Sequence, residues 1–273
     1  MFFTQNITTF APMNNKERPL ILITNDDGVF AKGINTLTEI ARSFGDVVVF
    51  APDVVRSGMS NALTVHVPVV YSKLSEEEGL TIYSCTGTPT DCVKLACFAL
   101  FRGRKPDLLL SGINHGSNAS INVIYSGTMG AALEGCANRI PSVGFSLCDH
   151  AWDADFSNSK PYIKSIIGWV LENPLPENVC LNVNIPKGDV KGIKICRQAL
   201  SNWQEDFELR QDKNGNHGYW MTGEFVNREP DAKDTDDWAL NNGYVSIVPD
   251  TVDLTCKEQI NVIKDWEFKI KID

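Results

Sequence analysis

The chain has 273 residues, 43% of them hydrophobic and 22% charged, an ordinary globular composition with length for one large domain or one domain carrying an appendage. Lys and Arg number 25 against 34 Asp and Glu, a net charge of −9 with no basic run or stripe, which argues against a grip on a nucleic-acid polymer. An anionic substrate would therefore need a local counter-charge, and a divalent cation is the simplest supply.

Residues 1–18 lack a charged start followed by an apolar block, so they read as a loose extension and not as a signal peptide. No segment approaches the roughly 20 apolar residues of a membrane span. The eight cysteines include no Cys-x-x-Cys pair and read as reduced thiols of a cytoplasmic protein.

Leu20–Thr24 is a short continuous apolar run, suited to a strand covered on both faces. Ile34, Leu37 and Ile40-Ala41 recur at helical spacing up to Gly45, and Val47–Phe50 is the next strand. This β-α-β alternation predicts a parallel sheet with right-handed crossovers. Leu63–Tyr71 and Leu80–Ser84 read as extended strands, in a hairpin around Glu76–Gly79. Thr90–Phe101 is expected to be a helix, preceded by a cap at Thr86–Pro89. Asp107–Leu110 is expected to be a strand ending in a loop, Ser111-Gly112-Ile113-Asn114. A helix at Thr128–Ala137, a strand at Ser142–Ser146, a helix at Tyr162–Leu171 and strands at Cys180–Ile185 and Ile193–Cys196 complete a core over residues 19–200.

After about residue 200 the chain turns polar and rich in acids, Gly and Asn, with an extended piece expected at Tyr219–Phe225 and a strand at Gly243–Val248. Residues 201–273 are read as a protruding β-arm and a returning C-terminal segment. Trp203, Tyr219, Trp220 and Trp238 flank the arm and favour an oligomer interface over base stacking.

Ligands of open parallel sheets bind beyond the carboxyl ends of the strands, and three expected strands end there in polar loops. These are Asn25-Asp26-Asp27-Gly28, Pro52–Gly58 with Arg56-Ser57-Gly58, and Ser111–Gly116 with Asn114 and His115. Adjacent carboxylates repel each other unless a cation answers them. Two carboxylates, a hydroxyl and an amide oxygen are hard ligands that suit Mg²⁺, Mn²⁺ or Ca²⁺. Asn, Asp and Gly are also common turn formers; what favours chemistry is that all three loops follow apolar strands. Tyr125-Ser126-Gly127-Thr128 opens a helix with small polar residues, which serve either phosphate binding or simple capping and close packing. His115 beside Asn114 could serve as an acid or a ligand, although a single loop histidine is more often a surface residue, and His66, His150 and His217 are assigned nothing.

These stretches, with Gly87–Lys94, Asn242–Ile247 and Thr251–Leu254, resemble in the same order the SurE survival-protein family of 5'/3'-nucleotidases, from about residue 19 to near the C-terminus. One departure is Asn118-Ala119-Ser120-Ile121-Asn122, where the family usually carries a glycine and acidic residues. The resemblance implies an α/β, Rossmann-like sheet with flanking helices and a phosphatase acting on nucleoside monophosphates with a divalent cation. It implies metal ligands at Asp26, Asp27, Ser57 and Asn114, and catalytic roles for Asp26 and Asp27. It implies phosphate contacts at Ser126, Gly127 and Thr128, with Asn25, Gly58 and Asn114 at the substrate. It further implies a homodimer or homotetramer built through the C-terminal arm. Two rival readings stand beside it: a haloacid-dehalogenase-like phosphatase, which would want Asp-x-Asp where Asp26-Asp27-Gly28 stands, and a non-catalytic nucleotide sensor on the same sheet.

Overall fold

A computed structural model describes residues 18–205 and 207–266. The expected N-terminal extension lies outside the described residues apart from Arg18, as do residues 267–273.

The chain begins with β1 (Leu20–Thr24), α1 (Lys32–Ala41) and β2 (Asp46–Pro52), then a hairpin of β3 (Tyr71–Glu77) and β4 (Leu80–Cys85). Next come α2 (Pro89–Ala99), β5 (Leu108–His115), α3 (Gly127–Ala137), β6 (Ser142–Leu147), α4 (Lys160–Glu172), β7 (Val179–Ile185) and β8 (Ile193–Ile195). The arm supplies β9 (Ser201–Gln204), β10 (Phe207–Gln211), β11 (His217–Met221) and β12 (Glu224–Asn227). The chain returns through α5 (Asp236–Asn241), β13 (Val245–Thr251) and α6 (Lys257–Lys264).

Nine strands form one sheet in the order β3-β4-β2-β1-β5-β6-β7-β13-β8. Its central strands are parallel, while β3 on β4 and β13 on β7 run antiparallel. From β1 the chain winds one way to β2 and β4, then returns to place β5 on the other side of β1. That reversal makes the β1/β5 boundary a topological switch point, with a crevice at its carboxyl end.

The pleat explains the unbroken apolar runs. Ile21 and Ile23 pack with Ile34 and Leu37 of α1 and Ile163 and Ile167 of α4. Leu22, between them, faces Val93 and Ala96 of α2 and Ala131 of α3. All eight cysteines are free thiols. No helix among the described residues is long and apolar enough to cross a membrane.

Three local expectations need correction. Leu63–Val70 is not a strand; extended pairing starts at Tyr71, where the expected strand ends. Pro68 cannot donate to a ladder, and Val65 and Val67 stay exposed. The segment is instead tied down by Thr64 N donating to the Asp91 carboxylate (3.1 Å) and Val70 N to Thr86 Oγ1 (3.0 Å). Ser111–Asn114 is not a loop but the second half of β5, with a register shift against β6 between Ser111 and Asn114. Gly112 serves close approach there: a methyl group built on it would lie 2.3 Å from the Phe145 carbonyl oxygen. The extended piece Tyr219–Phe225 is broken at Thr222-Gly223, because β9/β12 and β10/β11 are two nested antiparallel pairs of one long hairpin. The helices α5 and α6 had no counterpart in the sequence reading.

Candidate active site at the switch point

Asp26 and Asp27 follow β1 directly. The Asn25 amide donates to the Gly28 carbonyl (3.0 Å) and closes the turn, and Gly28 takes a positive φ of 96°. The Asn25 side chain is therefore buried inside the loop, and its Oδ1 has no hydrogen-bond partner there.

Backbone and side-chain bonds stitch the distant loops to this turn. Arg56 N donates to the Asp26 carbonyl at 2.7 Å, bringing the loop after β2 alongside. His115 N donates to Asp27 Oδ2 at 3.3 Å, which brings in the end of β5. Thr128 Oγ1 donates to Asp26 Oδ1 at 2.5 Å, which brings in the start of α3. Ser60 then ties the second loop to the same helix start, its N–H on the Tyr125 carbonyl (3.2 Å) and its hydroxyl on that of Ile124 (2.6 Å). Ser57 and Gly58 lie between those two anchors, both exposed, and the Ser57 hydroxyl makes no hydrogen bond among the described residues.

Asn114 donates its amide N–H to the Gly116 carbonyl (2.8 Å), which fixes the side chain and leaves its oxygen without a hydrogen bond among the described residues. Ser126 caps α3, its Oγ accepting from Met129 N (3.1 Å), so the hydroxyl proton remains free to donate. Gly127 seats the helix on the acid: a methyl group there would lie 2.9 Å from Asp26 Cβ.

The electrostatics match a cation site. Asp26 is 4% exposed, and burial pushes its carboxyl up to about 6 against the opposing hydrogen bond from Thr128, with Asp27 raising it further. Burial also raises Asp27, opposed by His115. Among the described residues neither acid pairs with a Lys or Arg. Two desolvated carboxylates held by neutral donors are electrostatically costly alone, a cost that a positive ion would offset. The donor set at hand, two carboxylates with the Ser57 hydroxyl and the Asn114 oxygen, is all oxygen and fits Mg²⁺ or Mn²⁺, with Ca²⁺ accepted by the same chemistry. No group of three or more His, Cys, Asp or Glu that could hold a metal ion occurs among the described residues, so the acid pair would need the Ser57 hydroxyl and the Asn114 oxygen to complete a coordination set.

Beside Asp27 a cleft of about 620 Å³ opens, lined in part by Phe30, Lys32, His115, His150 and Trp152. His115 is packed into the wall of this cleft: its Nδ1 bonds the Ala151 carbonyl (2.9 Å) and its ring packs edge-on to Phe156 (5.2 Å between centroids). His150 packs against Gly116. Neither role has a local signature, since both depend on the segment after β6 folding back over β5.

The family model described as Survival protein SurE matches residues 21–205. A protein named 5'-nucleotidase SurE from Phocaeicola vulgatus is 50% identical over 256 residues, covering 93% of this chain and 99% of that protein. One of the same name from Bacteroides fragilis is 51% identical over 257 residues, covering 94% of this chain and 100% of its own. Among solved structures, the SurE protein from Aquifex aeolicus superposes with a TM-score of 0.78 at 38% identity, over 90% of this chain and 98% of that one.

Proposed function

The chain belongs to the Survival protein SurE family and is a 5'-nucleotidase, and we propose that it releases phosphate from nucleoside monophosphates with a divalent cation held by Asp26, Asp27, Ser57 and Asn114. What supports this reading is a pair of desolvated carboxylates on one turn, to which the loops carrying the unbonded Ser57 hydroxyl and Asn114 amide oxygen are tied by Arg56 N and His115 N.

When bound, the cation would offset phosphate charge and lower the pKa of a coordinated water toward roughly 7 in favourable sites. Asp26 is held by Thr128 and Asp27 by the His115 N–H, so one oxygen of each carboxylate is fixed by a donor before substrate arrives. Asp27, the more exposed of the two, is the acid placed to orient or deprotonate the attacking water. The free Ser126 proton and the first-turn N–H of Gly127, at the positive end of α3, steady phosphoryl oxygens as charge develops. Asn25 and Gly58 shape the loops that frame the phosphate, and Thr128 acts mainly through Asp26.

Assembly as a homodimer or homotetramer through the arm belongs to the same reading. In the register of β10 and β11, Phe207 pairs Met221 and Leu209 pairs Tyr219. All four are more than half exposed. Positions two apart share a face, so the hairpin tip carries an apolar stripe suited to burial against another copy. A cytoplasmic location accords with eight free thiols.

Phosphate release from a panel of 5'- and 3'-nucleoside monophosphates, with Mg²⁺, Mn²⁺, Ca²⁺ or chelator, tests the proposal. Activity that persists unchanged after exhaustive chelation would overturn the cation's role.

A further inference from the structure

The cleft beside Asp27 is flanked by two large aromatic rings that the fold leaves bare, Phe30 at 78% and Trp152 at 82% exposure. Exposed singly, such rings need no explanation. Here both line one cavity, and Asp27 of the acid pair lines it with them.

The segment carrying Trp152 is fastened down. Lys32 Nζ donates to the carbonyls of Asp153 (3.1 Å) and Ala154 (2.6 Å), and the His115 ring bonds the Ala151 carbonyl. Because a carbonyl only accepts, His115 Nδ1 is the donor in that contact. Lys187 pairs with Asp149 at 3.1 Å at the start of the segment. Trp152 thus sits on a braced loop whose two inner braces, Lys32 and His115, themselves line the cleft. Phe30 lies two residues beyond Gly28 and is carried by the same turn that presents the acids.

The charge of the cleft selects its occupant. Asp27, Asp153 and Glu39 line it, Glu39 already paired with Lys160 at 2.9 Å, against a single lining lysine whose ammonium is already given to two carbonyls. An additional phosphate would be repelled there. A flat, uncharged, polarisable ring is not, and stacking on aromatic side chains is what such a ring does best.

We propose that Phe30 and Trp152 form the nucleobase seat of the substrate, holding the base by stacking while the phosphate lies at the acid pair. This rests on the nucleotidase reading and adds to it how the enzyme tells a nucleotide from a bare sugar phosphate. Stacking tolerates every base and favours the larger ring system, so purine monophosphates gain more than pyrimidine ones.

The test compares 5'-AMP with ribose 5-phosphate on the full chain, for wild type, Trp152→Ala, Phe30→Ala and Trp152→Phe. Both truncations remove exposed side chains, so folding is checked simply by an unchanged melting temperature. The expected result is a fall of about 10-fold in the ratio of kcat/KM for AMP over that for ribose 5-phosphate in each alanine variant. That corresponds to about 1.4 kcal/mol, it should appear in KM and not kcat, and Trp152→Phe should restore most of it. Equal losses on both substrates, or an unchanged ratio, overturn the base seat while leaving the nucleotidase intact. A change in assembly mass with an unchanged ratio assigns the rings to a contact between copies and overturns the proposal as well. A wild type that releases phosphate from neither compound overturns the nucleotidase reading and the seat together.

Discussion

Thr128 and Asp26 are 102 residues apart in the chain, yet the Thr128 hydroxyl donates to the Asp26 carboxylate at 2.5 Å, with both residues buried. A hydrogen bond to a charged group contributes about 1.5–3 kcal/mol. Thr128→Val keeps the shape of the side chain and deletes the donor. It should lower kcat by about 10-fold or more and raise the cation concentration needed for half-maximal activity, both read from phosphate release. Wild-type kinetics in this variant would show that Asp26 needs no such brace.

Asp26→Asn and Asp27→Asn each remove one charge from the proposed cation site. Either should cost at least ~100-fold in activity, with circular dichroism unchanged, because ion and developing charge lose the same partner. Near-normal turnover at saturating cation would sink the assignment.

Ser126→Ala combines two losses. The helix cap should cost about 1 kcal/mol of stability, seen in denaturant unfolding. The lost donor should reduce kcat/KM by roughly 10-fold and weaken competitive inhibition by inorganic phosphate. Calorimetric affinity for the cation alone should hardly move; if the cation is lost and phosphate inhibition retained, Ser57 and Ser126 have exchanged roles.

The assembly reading is checked by removing the hairpin tip. Replacing residues 205–223 with an Asn-Gly turn keeps the directly opposed pair Gln204 and Glu224, and spares the Arg197 pairs with Glu229 and Asp234. Light scattering should then report a smaller particle. An unchanged mass rules the stripe out as a contact.

Asp250 offers a pH test away from the site. Burial raises its carboxyl from 3.8 to about 6, with Asn182 as its hydrogen-bond partner and Asp236 as a further charge facing it. A raised carboxyl favours folding when protonated, so this contribution is complete below 3.8 and lost as pH rises through about 6, a swing of up to about 3 kcal/mol. Asp250→Asn should therefore melt ~2–6 °C higher at pH 7.5 and show a flatter dependence than wild type between pH 4 and 6. Identical pH profiles would refute it.

The parts of this design legible in sequence are those whose cause is local. The run Ile21-Leu22-Ile23 reads as a buried strand because both of its faces are covered, and the acids stand out because they follow it without a spacer. Thr88 and Asp91 read as a helix start because the reciprocal bonds of the capping box lie within four residues. Where the reading fails, a partner is remote. Ser111–Asn114 has the composition of a turn, but Gly112 is there to clear the Phe145 backbone of the neighbouring strand. His115 looks like a surface residue until Ala151 and Phe156 fold over it. The small α5 has a local cap, Thr235 Oγ1 accepting from Trp238 N, but it is hidden in a polar stretch because its buried Asp236 is held by the remote Ser120 and Ala199.

The stitching of the acid turn to Arg56, His115 and Thr128 has a consequence for how the chain is born. A ribosome makes β1 and the acids first, but β5, which lies against β1 in the sheet, is encoded more than eighty residues later. Until it emerges, Asp26 and Asp27 are ordinary hydrated carboxylates at the end of an open strand edge. The donors that hold them come from later parts of the chain, the His115 N–H for Asp27 first and the Thr128 hydroxyl for Asp26 only once residue 128 docks. Nascent chains shorter than that carry both acids without the hydroxyl that braces Asp26.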